Sequence, residues 1–491
     1  MGGVSLARIC YNACVKIRER FVLLGVATLS LLNFAAENPT QWAKGMEEQS
    51  PVIRGARVYG ARPGHEIVYR IPTTGTRPIV WTVEGLPEGL RLDGQVVRGR
   101  VAKAGTYPLR LKAANKAGTC EAKLRLEIGE KIQLTPPMGW NSWYSYSAAV
   151  SQAGMESVAE NLVASELADY GYAFVNIDDC WQGVRNAQGD IEPNVRFPDM
   201  QAMCAKIHAQ GLKCGIYSTP WICSYAGFLG GSAPKGHWAD EEKFVPEAER
   251  GQPTQFYGGY PNVLRRRLNH VGENWLFDRD ARRFAEWGFD FIKVDWNPND
   301  VKTTTRIAEA LRSSGRDIVL SLSNNAPLAN AEALSELANA ARTTGDIKDE
   351  WRKVKDILLK QIAWQKYLKP GFTPDPDILQ IGDLGKPNAK NLTFKPSRLT
   401  LKQQRFQMAA WCLLQAPLTV SCDLKNLKPE TKAILCDAEL LAIDQDEAMI
   451  PAEFSGDLTG EGVLVITKRL ADGRTVRGEF DFRTAEVKLS Y

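Results

Sequence analysis

Histidine is scarce in this chain of 491 residues: four occur, at positions 65, 208, 237 and 270, and none stands in a metal-binding spacing. The ten cysteines are neither dense nor arranged as CxxC pairs, which argues against a structural zinc and against a disulfide framework. A basic stripe is missing too. The 61 basic and 57 acidic side chains are mixed along the sequence, leaving a formal charge of +4, so nothing tracks a phosphate backbone and nucleic acid is not an expected partner. No apolar run reaches the roughly 20 residues that a membrane span requires. What is present is ordinary globular material, 44% apolar and 24% charged, in a chain long enough for two or three domains.

Near the start, Lys16, Arg18 and Arg20 precede an apolar run over 21–34, which meets Ala35 and Ala36 before Glu37. That charged, apolar, small-residue order predicts a secretory signal over 1–36, a secreted or periplasmic location, and no membrane span in the mature chain. A retained anchor and a misassigned start are the alternatives. Residues 37–50 read as a polar linker. From 51 to 129 short alternating segments such as Ile79-Val80-Trp81-Thr82-Val83 and Tyr107-Pro108-Leu109-Arg110-Leu111 are cut by Gly85, Gly99, Gly105 and Gly118. Period-2 hydrophobicity with frequent turn signals predicts a small β-sandwich. The stretch resembles the immunoglobulin-like domains of secreted bacterial proteins, as either a packing module or a sugar binder.

From 135 to 452 the rhythm changes to strand, helix, strand, helix. Strand-like runs lie at 138–143, 173–178, 213–217, 291–295 and 317–322, with shorter ones near 341–344, 377–381 and 417–421. Helical spacing fills the gaps, as at 155–170, 279–287 and 350–367. The fold class expected is therefore α/β: a (β/α)8 TIM barrel with a small N-terminal β-sandwich and a short, partial C-terminal β extension over 453–491 that contains a hairpin. Barrel sites form where strands end at their C-terminal side, and Asp178, Asp179, Tyr217, Asp295, Arg342 and Asp346 fall there.

Lys293 and Asp295 are two apart on one strand, so both face the same side, and the ammonium is expected to lower the carboxylate and keep it ionised. A nucleophile or a structural ion pair fits this pattern. Asp346 stands ahead of a helical run, as either a helix cap or the second carboxyl group that glycosidic hydrolysis by the common route needs. Asp178 and Asp179 beside Trp181 suit sugar hydroxyls and a stacked ring, or a divalent metal.

Ordered motifs narrow these alternatives. Pro136-Pro137-Met138-Gly139-Trp140-Asn141-Ser142-Trp143, Ile177-Asp178-Asp179-Cys180-Trp181, Gly215-Ile216-Tyr217, Phe291-Ile292-Lys293-Val294-Asp295, Asp346 to Trp351, Asp375-Pro376-Asp377 and Ala416-Pro417-Leu418 follow one another over 135–450. In that order they resemble family 27 glycoside hydrolases, the α-galactosidase group. The resemblance implies a retaining exo-glycosidase without metal or organic cofactor, acting on a carbohydrate substrate. It makes Asp295 the nucleophile and Asp346 the acid/base, and it places Trp143, Asp178, Asp179, Tyr217, Lys293, Ser323 and Arg342 around the sugar. Relatives with the same chemistry take α-N-acetylgalactosaminides, β-L-arabinopyranosides or isomaltose-containing glucans. A non-catalytic sugar-binding barrel is the rival of another class. Three departures stand out: Trp296 and Asn297 replace the usual residues after the nucleophile, an insertion lies within 223–275, and the loop Leu322-Ser323-Asn324-Asn325-Ala326-Pro327 is longer than usual. In the family that loop reads the sugar's 2-substituent, and Ser323 and Ala326 are expected to leave room for a larger one.

Overall fold

Alternation builds the first unit. In the strand Gly105–Asn115, Leu109, Leu111 and Ala113 point inward while Arg110 and Lys112 point out, the pattern of a half-buried strand. It pairs antiparallel with Gly118–Ile128 in a four-stranded sheet. A three-stranded sheet of Glu66–Arg70, Val96–Arg100 and Leu90–Asp93 faces the same core, in which Ile67 and Val97 meet Leu111 and Leu126. The structure, a computed structural model, describes residues 49–236, 267–385 and 392–491. The expected secretory signal lies outside the described residues, as does most of the inserted segment.

The barrel comes next. Its parallel strands are β1 (Met138–Asn141), β2 (Phe174–Asn176), β3 (Lys213–Ser218), β4 (Phe291–Asp295), β5 (Val319–Ser323), β6 (Ala340–Arg342), β7 (Thr373–Asp375) and β8 (Leu418–Val420). Seven neighbouring pairs run from β7 back through β1 to β8, and a parallel bridge between Leu379 and Val420 joins the remaining edges. Both faces are covered, so the strands read as continuous apolar runs. Close packing inside has a sequence signature: a Cβ on Gly215 would sit 1.9 Å from Asn176 Oδ1, so only glycine fits.

One strand is misplaced by sequence reading. The seventh strand is Thr373–Asp375 rather than 377–381, because Pro376 offers no N–H and Asp377 takes a left-handed conformation at φ 80°. The ladder breaks there and resumes at Leu379, whose N–H donates to Thr419 O at 2.8 Å.

The first unit closes the N-terminal end of the barrel. Arg70 and Arg77 both reach Asp169, just before β2, at 3.2 and 2.5 Å. Arg98 donates to His208 O at 2.6 Å, and His65 meets Asp317 at 2.9 Å. At the other end of the chain the expected hairpin, Val463–Arg469 with Thr475–Asp481, is the centre of a four-stranded antiparallel meander. Its Phe480 packs edge-on at 5.1 Å against Phe406 of the helix Leu401–Leu414. Among the described residues no helix is long and apolar enough to cross a membrane.

Candidate active site

At the C-terminal ends of the strands a pocket of about 790 Å³ opens, a size that suits a small ligand. Strand alternation explains how its charged floor arises. Lys293 and Asp295 on β4 face the barrel axis, and Lys293 Nζ stands 2.8 Å from Asp178 Oδ2 and 3.9 Å from Asp295 Oδ2. Beyond β2 the chain turns sharply. There Asp178 also accepts from Asn141 Nδ2 at 2.9 Å, and Asp179 Oδ2 accepts the Ala226 N–H at 3.0 Å. Tyr217, on β3, lies under Lys293 at 5.5 Å from its ring centre, with its hydroxyl buried and without a protein partner.

The opposite side belongs to β6. Arg342 ends that strand and donates to Asp346 Oδ1 at 2.7 Å and to Ser323 Oγ at 3.1 Å, while Asp377 stands 3.4 Å away. Asp346 is no helix cap. The following helix starts at Trp351 with Glu350 at its N-cap, and the Asp346 carboxylate turns to Arg342 instead. That side chain stays 59% exposed, as befits a group reachable from solvent.

The two carboxyl groups are held differently. Burial pushes Asp295 up to about 6, against the pull of Lys293 and Arg342. Lys293 pulls the carboxyl group down as expected, but burial outweighs that pull, and Asp346 and Asp178 add their repulsion, so the net shift is upward. One oxygen of Asp295, Oδ1, is buried with no hydrogen-bond partner. For Asp346 partial desolvation at the pocket rim acts upward as well, but the Arg342 guanidinium prevails and lowers it. Burial would lower Lys293, yet Asp178 and Asp295 hold it above its ordinary value.

Of the nine residues singled out by sequence, eight line this pocket: Trp143, Asp178, Asp179, Tyr217, Lys293, Asp295, Arg342 and Asp346. Ser323 does not. Its hydroxyl is taken by Arg342, and Asn324 forms the wall in its place. Tyr144, Tyr225, Asp377 and Ile378 also line the pocket and were not singled out. Asp377 carried a signal, its place in Asp375-Pro376-Asp377; Tyr225, inside an insertion, carried none. Among the described residues no group of His, Cys, Asp and Glu side chains is placed to hold a metal ion.

A (β/α)8 barrel that gathers carboxylates and aromatic rings at its C-terminal strand ends is the architecture of a glycoside hydrolase, and this chain is one. More specifically, residues 135–244 and 258–446 match the family described as Alpha galactosidase A, or melibiase, and the chain belongs to that family. The chain is 30% identical over 387 residues to Alpha-galactosidase 3 of Arabidopsis thaliana, covering 74% of this chain and 76% of that one. It is also similar to two crystal structures of proposed α-galactosidases from Bacteroides fragilis. One is 29% identical with a TM-score of 0.74, covering 89% of this chain and 87% of its own. The other is 27% identical with the same TM-score of 0.74, covering 88% and 86%.

Proposed function

We propose that the protein is a retaining exo-α-galactosidase that removes terminal α-galactosyl residues from oligosaccharides, polysaccharides or glycoconjugates outside the cytoplasm. The observation that carries this reading is the pairing, in one pocket, of a buried Asp295 with an unpartnered oxygen and an accessible Asp346 on an arginine. Asp295 attacks the anomeric carbon, and the bond to the leaving oxygen breaks as Asp346 donates its proton to it. Water then enters, Asp346 takes its proton back, and the hydroxide displaces Asp295 with net retention. Asp178 and Asp179 accept hydrogen bonds from sugar hydroxyls, with Lys293 holding Asp178, and Trp143 covers an apolar face.

Arg342 favours the ionised form of Asp346, whereas donating a proton requires the neutral form. A bound substrate excludes water from Asp346 and draws Arg342 toward its own oxygens, and both effects raise the carboxyl group toward protonation. The segments 1–36, 51–129 and 453–491 complete the reading as an export signal, an immunoglobulin-like module and a short β extension, with the module serving as a structural cap.

Parallel assays on nitrophenyl α-galactoside, α-N-acetylgalactosaminide, β-L-arabinopyranoside and isomaltose-type substrates, with NMR of the first-formed product, test the proposal. The expected result is preferential turnover of the α-galactoside with α-galactose released first. Initial release of the β-anomer, or preference for another glycoside, overturns it.

A further inference from the structure

The loop after β3 delivers a residue that the motifs do not account for. It doubles back on itself, with Gly230 N–H donating to Ile222 O at 2.9 Å and Gly231 N–H to Thr219 O at 2.7 Å. A buried ion pair clamps it from below: Arg185 meets both oxygens of Asp280 at 2.7 Å and donates to Gly230 O at 2.7 Å. Such a two-pronged pair fixes geometry as well as charge. At the loop's tip Ala226 binds Asp179, and Trp221 packs edge-on against Tyr225 at 5.0 Å. The Tyr225 ring therefore has little freedom.

Tyr225 lines the pocket together with Asn324 of the β5 loop, and Asn324 in turn accepts from Arg342 Nη2 at 3.4 Å. Tyr225, Asn324 and Arg342 thus form a continuous wall beside Asp295. The small residues of the β5 loop do not enlarge the pocket here. Ser323 is tied to Arg342, and Ala326 is buried with its N–H on Arg342 O at 2.8 Å.

We propose that Tyr225 is a specificity-determining residue: its ring closes the β3–β5 side of the pocket, so the sugar position next to the reacting carbon bears a hydroxyl and nothing as large as an acetamido group. This rests on the glycosidase reading above. A reacting carbon must come within about 3–3.5 Å of the Asp295 oxygen, which presses the neighbouring substituent against this wall. An acetamido group adds three heavy atoms at that point, and a clamped ring cannot yield to them.

The test compares wild type, Tyr225→Phe, Tyr225→Ala and Asn324→Ala on nitrophenyl α-galactoside and its 2-acetamido counterpart, with circular dichroism to confirm folding. Tyr225→Phe keeps the wild-type ratio of kcat/KM values within about threefold, because the ring is the wall. Tyr225→Ala shifts the ratio toward the acetamido substrate by about tenfold or more, mainly through KM, and Asn324→Ala shifts it less. An unchanged ratio in both folded alanine variants overturns the proposal. If the wild type cleaves neither substrate, the glycosidase reading fails instead. Calorimetric binding of galactose and N-acetylgalactosamine to the same four proteins then still reads the wall.

Discussion

Asp290, just before strand β4, and Asp295, at its C-terminal end, stand five residues apart, both buried, and their fates are opposite. At the N-terminal end Asp290 is surrounded by donors: His208 Nε2 at 2.8 Å, Arg316 Nη2 at 2.6 Å and the Cys214 N–H at 2.9 Å. Burial alone would raise it, but His208 and Arg316 hold it well below the usual carboxylate range. At the C-terminal end Asp295 has one cation at 3.9 Å and a bare oxygen, and it is pushed up to about 6. The same contrast separates the two faces of the barrel. Below, Asp169 and Asp290 are each satisfied by arginine or histidine, with Arg70 and Arg77 of the N-terminal unit reaching Asp169. Above, the polar atoms of Tyr217 and Asp295 are left open. Of the two aspartates flanking this strand, the satisfied carboxylate belongs to the fold and the open one to the pocket.

The largest break in this comparison is expected at the upper aspartate. Asp295→Asn lowers kcat on nitrophenyl α-galactoside by about 10⁴-fold or more, since the amide cannot form the covalent intermediate. The same variant gains stability. Because the folded value of about 6 exceeds the ordinary 3.8, Asp295 withdraws stability as pH rises through that window. At pH 7 the variant therefore melts about 2 °C or more above wild type by calorimetry. A lower melting temperature would mean that the Lys293 contact outweighs burial.

At the lower end the signs reverse. Asp290→Asn loses about 3 kcal/mol in denaturant unfolding, because it breaks a buried pair and strands Arg316 and His208. Its folded fraction keeps kcat within about twofold of wild type. A loss of activity without a loss of stability would contradict the division between the two faces. The smallest effect is titration. Since Asp295 must be ionised to attack, kcat/KM is expected to fall about tenfold per unit as pH drops below about 6, and the acid limb should be absent from the binding of galactose to Asp295→Asn.

Much of this was legible in order and alternation. Strand β4 is Phe291–Asp295 as the sequence reading had it, because an apolar run bounded by Gly288 and Asn297 leaves little choice. Lys293 and Asp295 followed from period-2 geometry, and their partners from motifs that occur in a fixed order. Their electrostatics did not follow. Whether Lys293 serves Asp178 or Asp295 depends on a difference of about 1 Å between two distances, which spacing cannot register. The β7 strand was misplaced because 377–381 is as apolar as a strand, while the break comes from Pro376 and one left-handed residue. Tyr225 was illegible for a related reason: the loop bearing it is held by contacts to Asp179 and Arg185, which are distant in sequence.

The N-terminal sheets carry a consequence for synthesis. They have a core of their own, and they leave the ribosome ahead of every barrel residue they will touch. Arg62 must wait for Asp317, 255 positions later, and Arg70 for Asp169. A finished basic surface is therefore already in place when the lower rim of the barrel arrives, and the acids of that rim meet their counter-charges as the strands close, before an uncompensated carboxylate has to be buried.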